Sequence, residues 1–189
     1  MDKIRDSADI LQPEKEETYQ FIEKLLSSVK ENFSTNRVHL GMDEAVMLGL
    51  GNYLKENGYK KGSLIIREHC NRVVDICRKL ELKPMIWSDM YITANSTGGY
   101  YDLPENTDCS KWEKPKKDLG LVYWDYYHAD TRTYEKMLDI HAQLSDNVIF
   151  AGGSWIWNGI SPNYSKTYAC TKAALSTCKK YNIKEVLCT

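Results

Sequence analysis

Asp43 and Glu44 are adjacent acids in the stretch His39-Leu40-Gly41-Met42-Asp43-Glu44-Ala45. That stretch ends an apolar run that reads as a β-strand and opens an apolar-periodic run that reads as a helix. Capping a helix asks for only one acid there. In an α/β barrel the carboxyl end of a strand is where reacting groups stand, so two carboxylates at this turn point to proton transfer. A second carboxylate close by is one of the settings in which enzymes keep a general acid.

Two further apolar runs end in aromatic and acidic residues, and a third ends in tryptophans. Lys83 to Trp87 leads to Asp89 and Tyr91, Leu119 to Trp124 leads through Tyr123 and Trp124 to Asp125 and Tyr126, and Val148 to Gly153 leads to Trp155 and Trp157. Pyranose rings stack their C–H faces on aromatic rings and need carboxylates or amides for their hydroxyls. A pocket rich in Trp, Tyr and Asp with few cations is a sugar pocket more readily than a phosphate or metal pocket. His39 lies on the strand beside the acids and reads as a hydrogen-bonding partner of the site. His69 and His141 fall on helix stripes and read as structural, and His128 follows the aromatic run. The spacing of His, Cys and Asp suits no metal, and no phosphate or dinucleotide fingerprint surrounds Gly152-Gly153, so the expectation is neither metal nor cofactor. Close backbone packing accounts better for those glycines.

Strands and helices alternate around these motifs. A helix is expected from Pro13, with Tyr19, Ile22, Leu25, Leu26, Val29 and Phe33 on one stripe. Asn36 to Gly41 reads as a strand, followed by a helix from Ala45 to about Asn57-Gly58. Ser63 is placed to cap the next helix, whose stripe runs from Ile66 to Leu80. Thr93 to Asp118 is polar and aperiodic, a length of loop usually functional or disordered. Helices around Tyr134–Leu144 and Lys166–Tyr181, and a strand from Glu185, complete the pattern. Such alternation predicts a parallel sheet with crossover helices. The chain opens in a helix and stops within a strand, so the expectation is the carboxyl-proximal portion, about five strands, of a larger barrel. An open doubly wound sheet is the alternative.

With 189 residues and a formal charge of −1, the chain could form one domain and carries no basic surface suited to nucleic acid or anionic membrane. The basic cluster from Lys111 to Lys117 reads as a solvated loop. No apolar run has the ~20 residues of a membrane span, and the charged Met1-Asp2-Lys3-Ile4-Arg5-Asp6 lacks a secretory core. Six cysteines, none in a C-x-x-C pair, read as buried free thiols suited to a reducing cytosol. Without a secretion signal, the sequons at Asn32, Asn95 and Asn163 read as chance matches.

His39-x-Gly41-x-Asp43-Glu44 resembles the signature of glycoside hydrolase family 20, the β-N-acetylhexosaminidases. Trp87-Ser88-Asp89-Met90, Tyr123-Trp124-Asp125-Tyr126-Tyr127 and Ala151-Gly152-Gly153-Ser154-Trp155 resemble the strand-end motifs of its bacterial cytosolic-type members. The resemblance, which covers about Asn36 to Thr189, implies a (β/α)8 barrel and removal of terminal β-linked GlcNAc or GalNAc from a glycan or glycoconjugate. It also implies retention without a protein nucleophile, an exception to the two-carboxylate scheme. Glu44 would be the acid and then the base. Asp43 would orient the 2-acetamido group that attacks the anomeric carbon. Trp87, Trp124 and Trp155 would wall the acetamido pocket, and Tyr123 or Tyr126 would donate to the acetamido oxygen. Members also carry an arginine on an early strand, whereas only Arg5 precedes Asn36 here. Some cover their pockets with a partner, which leaves room for a homo-oligomer. Two rivals stay open: a barrel glycosidase using Asp89 or Asp125 as nucleophile, and a truncated barrel that binds sugar weakly.

Overall fold

Five parallel strands lie side by side in chain order: β1 (Arg37–His39), β2 (Lys83–Trp87), β3 (Gly120–Trp124), β4 (Val148–Gly152) and β5 (Val186–Cys188). The structure is a computed structural model and describes residues 2–189. Helices α1 (Glu16–Asn32), α2 (Asn52–Asn57), α3 (Gly62–Lys79), α4 (Asp89–Thr93), α5 (Thr131–Leu144) and α6 (Tyr164–Lys180) precede and link the strands. Sequential parallel order with helical crossovers is the order of a (β/α) barrel, and this sheet is a curled part of one. The curl brings the amino ends of the two edge strands together, where the Arg37 guanidinium pairs with the Glu185 carboxylate. No helix among the described residues is long and apolar enough to cross a membrane.

The two-residue period of the strands sorts their side chains between two apolar layers. Ile86, Leu121, Tyr123 and Phe150 pack outward with Val74 of α3, Tyr134, Met137 and Leu138 of α5, and Ala174 of α6. Met85, Val122, Ile149 and Ala151 pack on the other face, with Trp87, Trp124 and Leu187 beside them. The two tryptophans therefore share the inner face at the carboxyl ends of β2 and β3. Helix α1 adds a satellite cluster, its Tyr19, Ile22 and Leu26 meeting Val73 and Cys77 of α3. The Tyr19 hydroxyl lies 3.2 Å from His69 Nδ1, which gives that histidine a structural partner. All six cysteines are free, and only Cys188 is exposed.

The helix expected from Ala45 does not form there. Residues 46–49 make turns, and α2 begins only at Asn52. Gly49 takes a left-handed φ of 74°, and a side chain at Gly51 would strike the Asp6 carbonyl at 2.0 Å. The opening segment, which has no sequence period, fixes this region instead. Buried Asp6 accepts the Gly49 N–H at 2.9 Å and the Tyr53 N–H at 2.7 Å. Ser63 does not cap α3, because Lys61 holds the cap position and Ser63 lies buried in the first turn. The long segment after α4 is ordered by Tyr100, Leu103 and Cys109, which are buried in the main core.

Asp6→Ala leaves two buried N–H donors without acceptors, a loss of about 1–3 kcal/mol for each unsatisfied group. Urea unfolding of the variant should show a lower midpoint at unchanged slope. An unmoved midpoint would remove Asp6 from this role.

Candidate active site

Asp43 and Glu44 stand at the carboxyl end of β1 on an unusual backbone. Gly41, Met42 and Glu44 all have positive φ, at 72°, 70° and 48°. Left-handed conformations in non-glycine residues cost about 1 kcal/mol or more each and persist only where surroundings fix them. Glu44 is fixed by Asp89, whose Oδ2 accepts the Glu44 N–H at 2.8 Å. The Glu44 side chain remains exposed, as does that of Asp43. Asp43 borders a cavity of about 490 Å³ with His39, Met42 and the flank of α1. Glu44 borders another of about 560 Å³ with Asp89, Met90, Tyr100, Trp124 and Tyr59.

Asp89 is almost fully buried at the start of α4. Its burial raises the carboxyl pKa, the charge of Asp43 adds to that rise, and the bonds from Glu44 and Trp124 oppose it. The indole N–H of Trp124 points to Asp89 Oδ1 at a long 3.5 Å. Two rings stack on Trp124, Tyr100 at 5.2 Å and Tyr126 at 5.6 Å between centroids. Tyr126 lies within the field of both Asp43 and Glu44. Burial chiefly, with those charges and that of Asp125, pushes its hydroxyl pKa up to about 12. Trp87 rests against His39, with ring centroids 4.4 Å apart. His39 Nδ1 accepts the Gly41 N–H at 3.1 Å, so its proton sits on Nε2, which is buried without a partner. Burial lowers the His39 pKa and keeps the ring neutral, although Asp43 pulls the other way. Among the described residues, no group of His, Cys, Asp and Glu is placed to hold a metal ion.

The family model for the glycosyl hydrolase family 20 catalytic domain matches residues 2–145. The chain belongs to that family. A comparison with curated proteins returns no match. Solved structures similar to it include the family 20 β-N-acetylhexosaminidase of Streptomyces coelicolor A3(2), at 12% identity and a TM-score of 0.48, covering 80% of this chain and 25% of that one. A family 20 β-N-acetylglucosaminidase matches at 15% identity and a TM-score of 0.42, with 84% and 29% covered. The pneumococcal virulence factor StrH matches at 13% identity and a TM-score of 0.41, with 90% and 50% covered. The chain thus spans between a quarter and a half of the length of these structures.

The remaining expected site residues of this family 20 chain fall into two sets. Tyr123 does not line the site: its ring is fully buried on the helix side of the sheet, and its hydroxyl donates to Asp125 Oδ2 at 2.9 Å. Asp125 is equally buried, and it also accepts the Tyr127 N–H at 2.9 Å and faces His128 Nδ1 at 2.8 Å. Both residues therefore shape the loop that carries Tyr126. Trp155 is buried, with its indole N–H on the Tyr126 carbonyl and the Lys166 ammonium over its ring at 3.7 Å. Trp157 is half exposed and stands edge-on to Tyr126 at 5.3 Å. Gly153 permits that contact, since a Cβ there would meet Trp157 at 2.4 Å. Tyr100 was outside the expected set; its only sequence signal is an aromatic pair, Tyr100-Tyr101, within a polar segment.

Because folding raises the Asp89 pKa, the folded chain binds more protons than the unfolded one between the ordinary carboxylate value and the raised one. Wild-type stability should therefore fall as pH rises through that interval, and Asp89→Asn should remove this part of the slope. Urea unfolding of both proteins across acid pH measures it. Parallel profiles would contradict the raised pKa.

Proposed function

We propose that this chain is a portion, over residues 1–189, of a catalytic barrel that hydrolyses terminal non-reducing N-acetyl-β-hexosaminides with assistance from the substrate's own acetamido group. The observation that carries the reading is the Asp43–Glu44 turn, two adjacent exposed carboxylates of which the second sits in left-handed backbone with its N–H on Asp89. Family 20 membership supports the substrate class.

In this reading Glu44 protonates the departing glycosidic oxygen and then takes a proton from the incoming water. Asp43 orients the acetamido N–H, so that the carbonyl oxygen attacks the anomeric carbon and its positive charge is stabilised. Trp87, Trp124 and Trp155 remain the proposed aromatic wall, with Trp157 at the rim. Confinement of the acetamido group against that wall raises its effective molarity. Tyr126, which stacks on Trp124, is the proposed donor to the acetamido oxygen, a role favoured over Tyr123 because Tyr123 packs among the helices. His39 stays in this reading as a hydrogen-bonding partner of the site, its ring against Trp87 and its Nδ1 on the Gly41 N–H. Asp89 and Asp125 make poor protein nucleophiles, because Asp89 is occupied by Glu44 and Trp124 and Asp125 by its own loop.

The test is hydrolysis of an aryl β-N-acetylglucosaminide beside the matched aryl β-glucoside. Cleavage of the acetamido sugar alone is expected, and cleavage of both would replace the reading with a protein nucleophile. In the complete barrel, Glu44→Gln should abolish turnover of substrates with poor leaving groups and cost good aryl leaving groups less, since they need little protonation. Equal loss on both would remove Glu44 as the acid. Asp43→Asn should slow every substrate, and unchanged turnover would end the substrate-assisted scheme.

A further inference from the structure

His141 lies on α5, on the far side of the sheet from Glu44, and is completely buried. Its Nδ1 is 2.6 Å from the Met137 carbonyl, which can only accept, so the ring proton sits on Nδ1. Burial lowers its pKa to about 4 and keeps the imidazole neutral. Nε2 is therefore an acceptor, and the Ser88 hydroxyl donates to it at 2.7 Å. With its own proton committed, Ser88 Oγ accepts from the Tyr100 hydroxyl at 2.6 Å. Direction is thus fixed at every link: Tyr100 donates to Ser88, and Ser88 donates to His141.

Ser88 holds the cap position of α4, yet its side chain caps nothing. A serine there ordinarily serves the helix; this one spans from β2 to α5. The far end of the chain of bonds is the Tyr100 ring, stacked on Trp124 at 5.2 Å and 25°. Neighbouring Tyr101 donates its hydroxyl to the Trp124 carbonyl at 2.7 Å, which fixes the backbone under the same indole. Trp124 in turn reaches Asp89, and Asp89 holds Glu44.

We propose that His141, Ser88 and Tyr100 form a directed, buried relay that sets the orientation of Trp124, and through it the wall and acid of the site. They are positioning residues, and their effect on turnover rests on the function proposed above.

Side-chain indole resonances of the full chain test the relay directly, with Trp124 assigned by Trp124→Phe. Tyr100→Phe keeps the stacked ring and removes the hydroxyl; His141→Leu removes the acceptor; His141→Gln returns one. Val73→Ala, in the separate cluster between α1 and α3, controls for lost stability. The Trp124 indole N–H should shift in Tyr100→Phe and His141→Leu, return toward wild type in His141→Gln, and stay in place in Val73→Ala. In hydrolysis of the aryl β-N-acetylglucosaminide, Tyr100→Phe should lower kcat/KM about tenfold, mostly through kcat. A Trp124 resonance unmoved by Tyr100→Phe and His141→Leu, or moved as far by Val73→Ala, overturns the relay. The resonance can be read in a chain that hydrolyses nothing, so failure of the relay and failure of the proposed function are told apart.

Discussion

A glutamate in left-handed backbone, at the end of a three-residue strand, has no local reason to stay where it is. The bond from its N–H to Asp89 supplies that reason, and it joins the ends of β1 and β2 across 45 positions of sequence. Asp89 can serve only because it is desolvated yet still accepts from both Glu44 and Trp124. A carboxylate in that setting is costly unless its oxygens are engaged. The same contact that orders Glu44 therefore also makes burial of Asp89 tolerable. Each of the two acids depends on the other's backbone or side chain.

Around that contact the aromatic residues divide their labour. Trp124 and Trp87 stand on the inner face of the sheet because they alternate with Tyr123 and Ile86, which serve the helix layer. Period two thus decides which aromatic ring can meet a ligand and which is core. Tyr126 escapes the alternation because it lies beyond the strand. Its loop is shaped by Asp125 and pinned through its carbonyl to Trp155.

Much of this was legible in sequence. The alternation of apolar runs marked every strand to within a few residues, and β2 matched residue for residue. The strand-end motifs gave the family. What sequence pattern could not show was decided by distant contacts. The helix after Glu44 failed because Gly49 and Gly51 fit against Asp6, a residue in a segment with no period of its own. Tyr123 could not be told from Tyr126, since sequence alone does not show where β3 ends; once Trp124 closes the strand on the inner face, Tyr123 must face the helices. His141 read as structural because its stripe is apolar, and only its bond to Ser88 ties it toward the site.

Asp6 meets Gly49 and Tyr53 across 43 and 47 residues. The strand pairing that carries Glu44 closes a loop of like length, since Arg37 of β1 faces Lys83 of β2. The turn downstream of Glu44, by contrast, hangs on two N–H bonds to one carboxylate, so loss of that carboxylate would loosen the backbone beside the acids while the sheet stays paired.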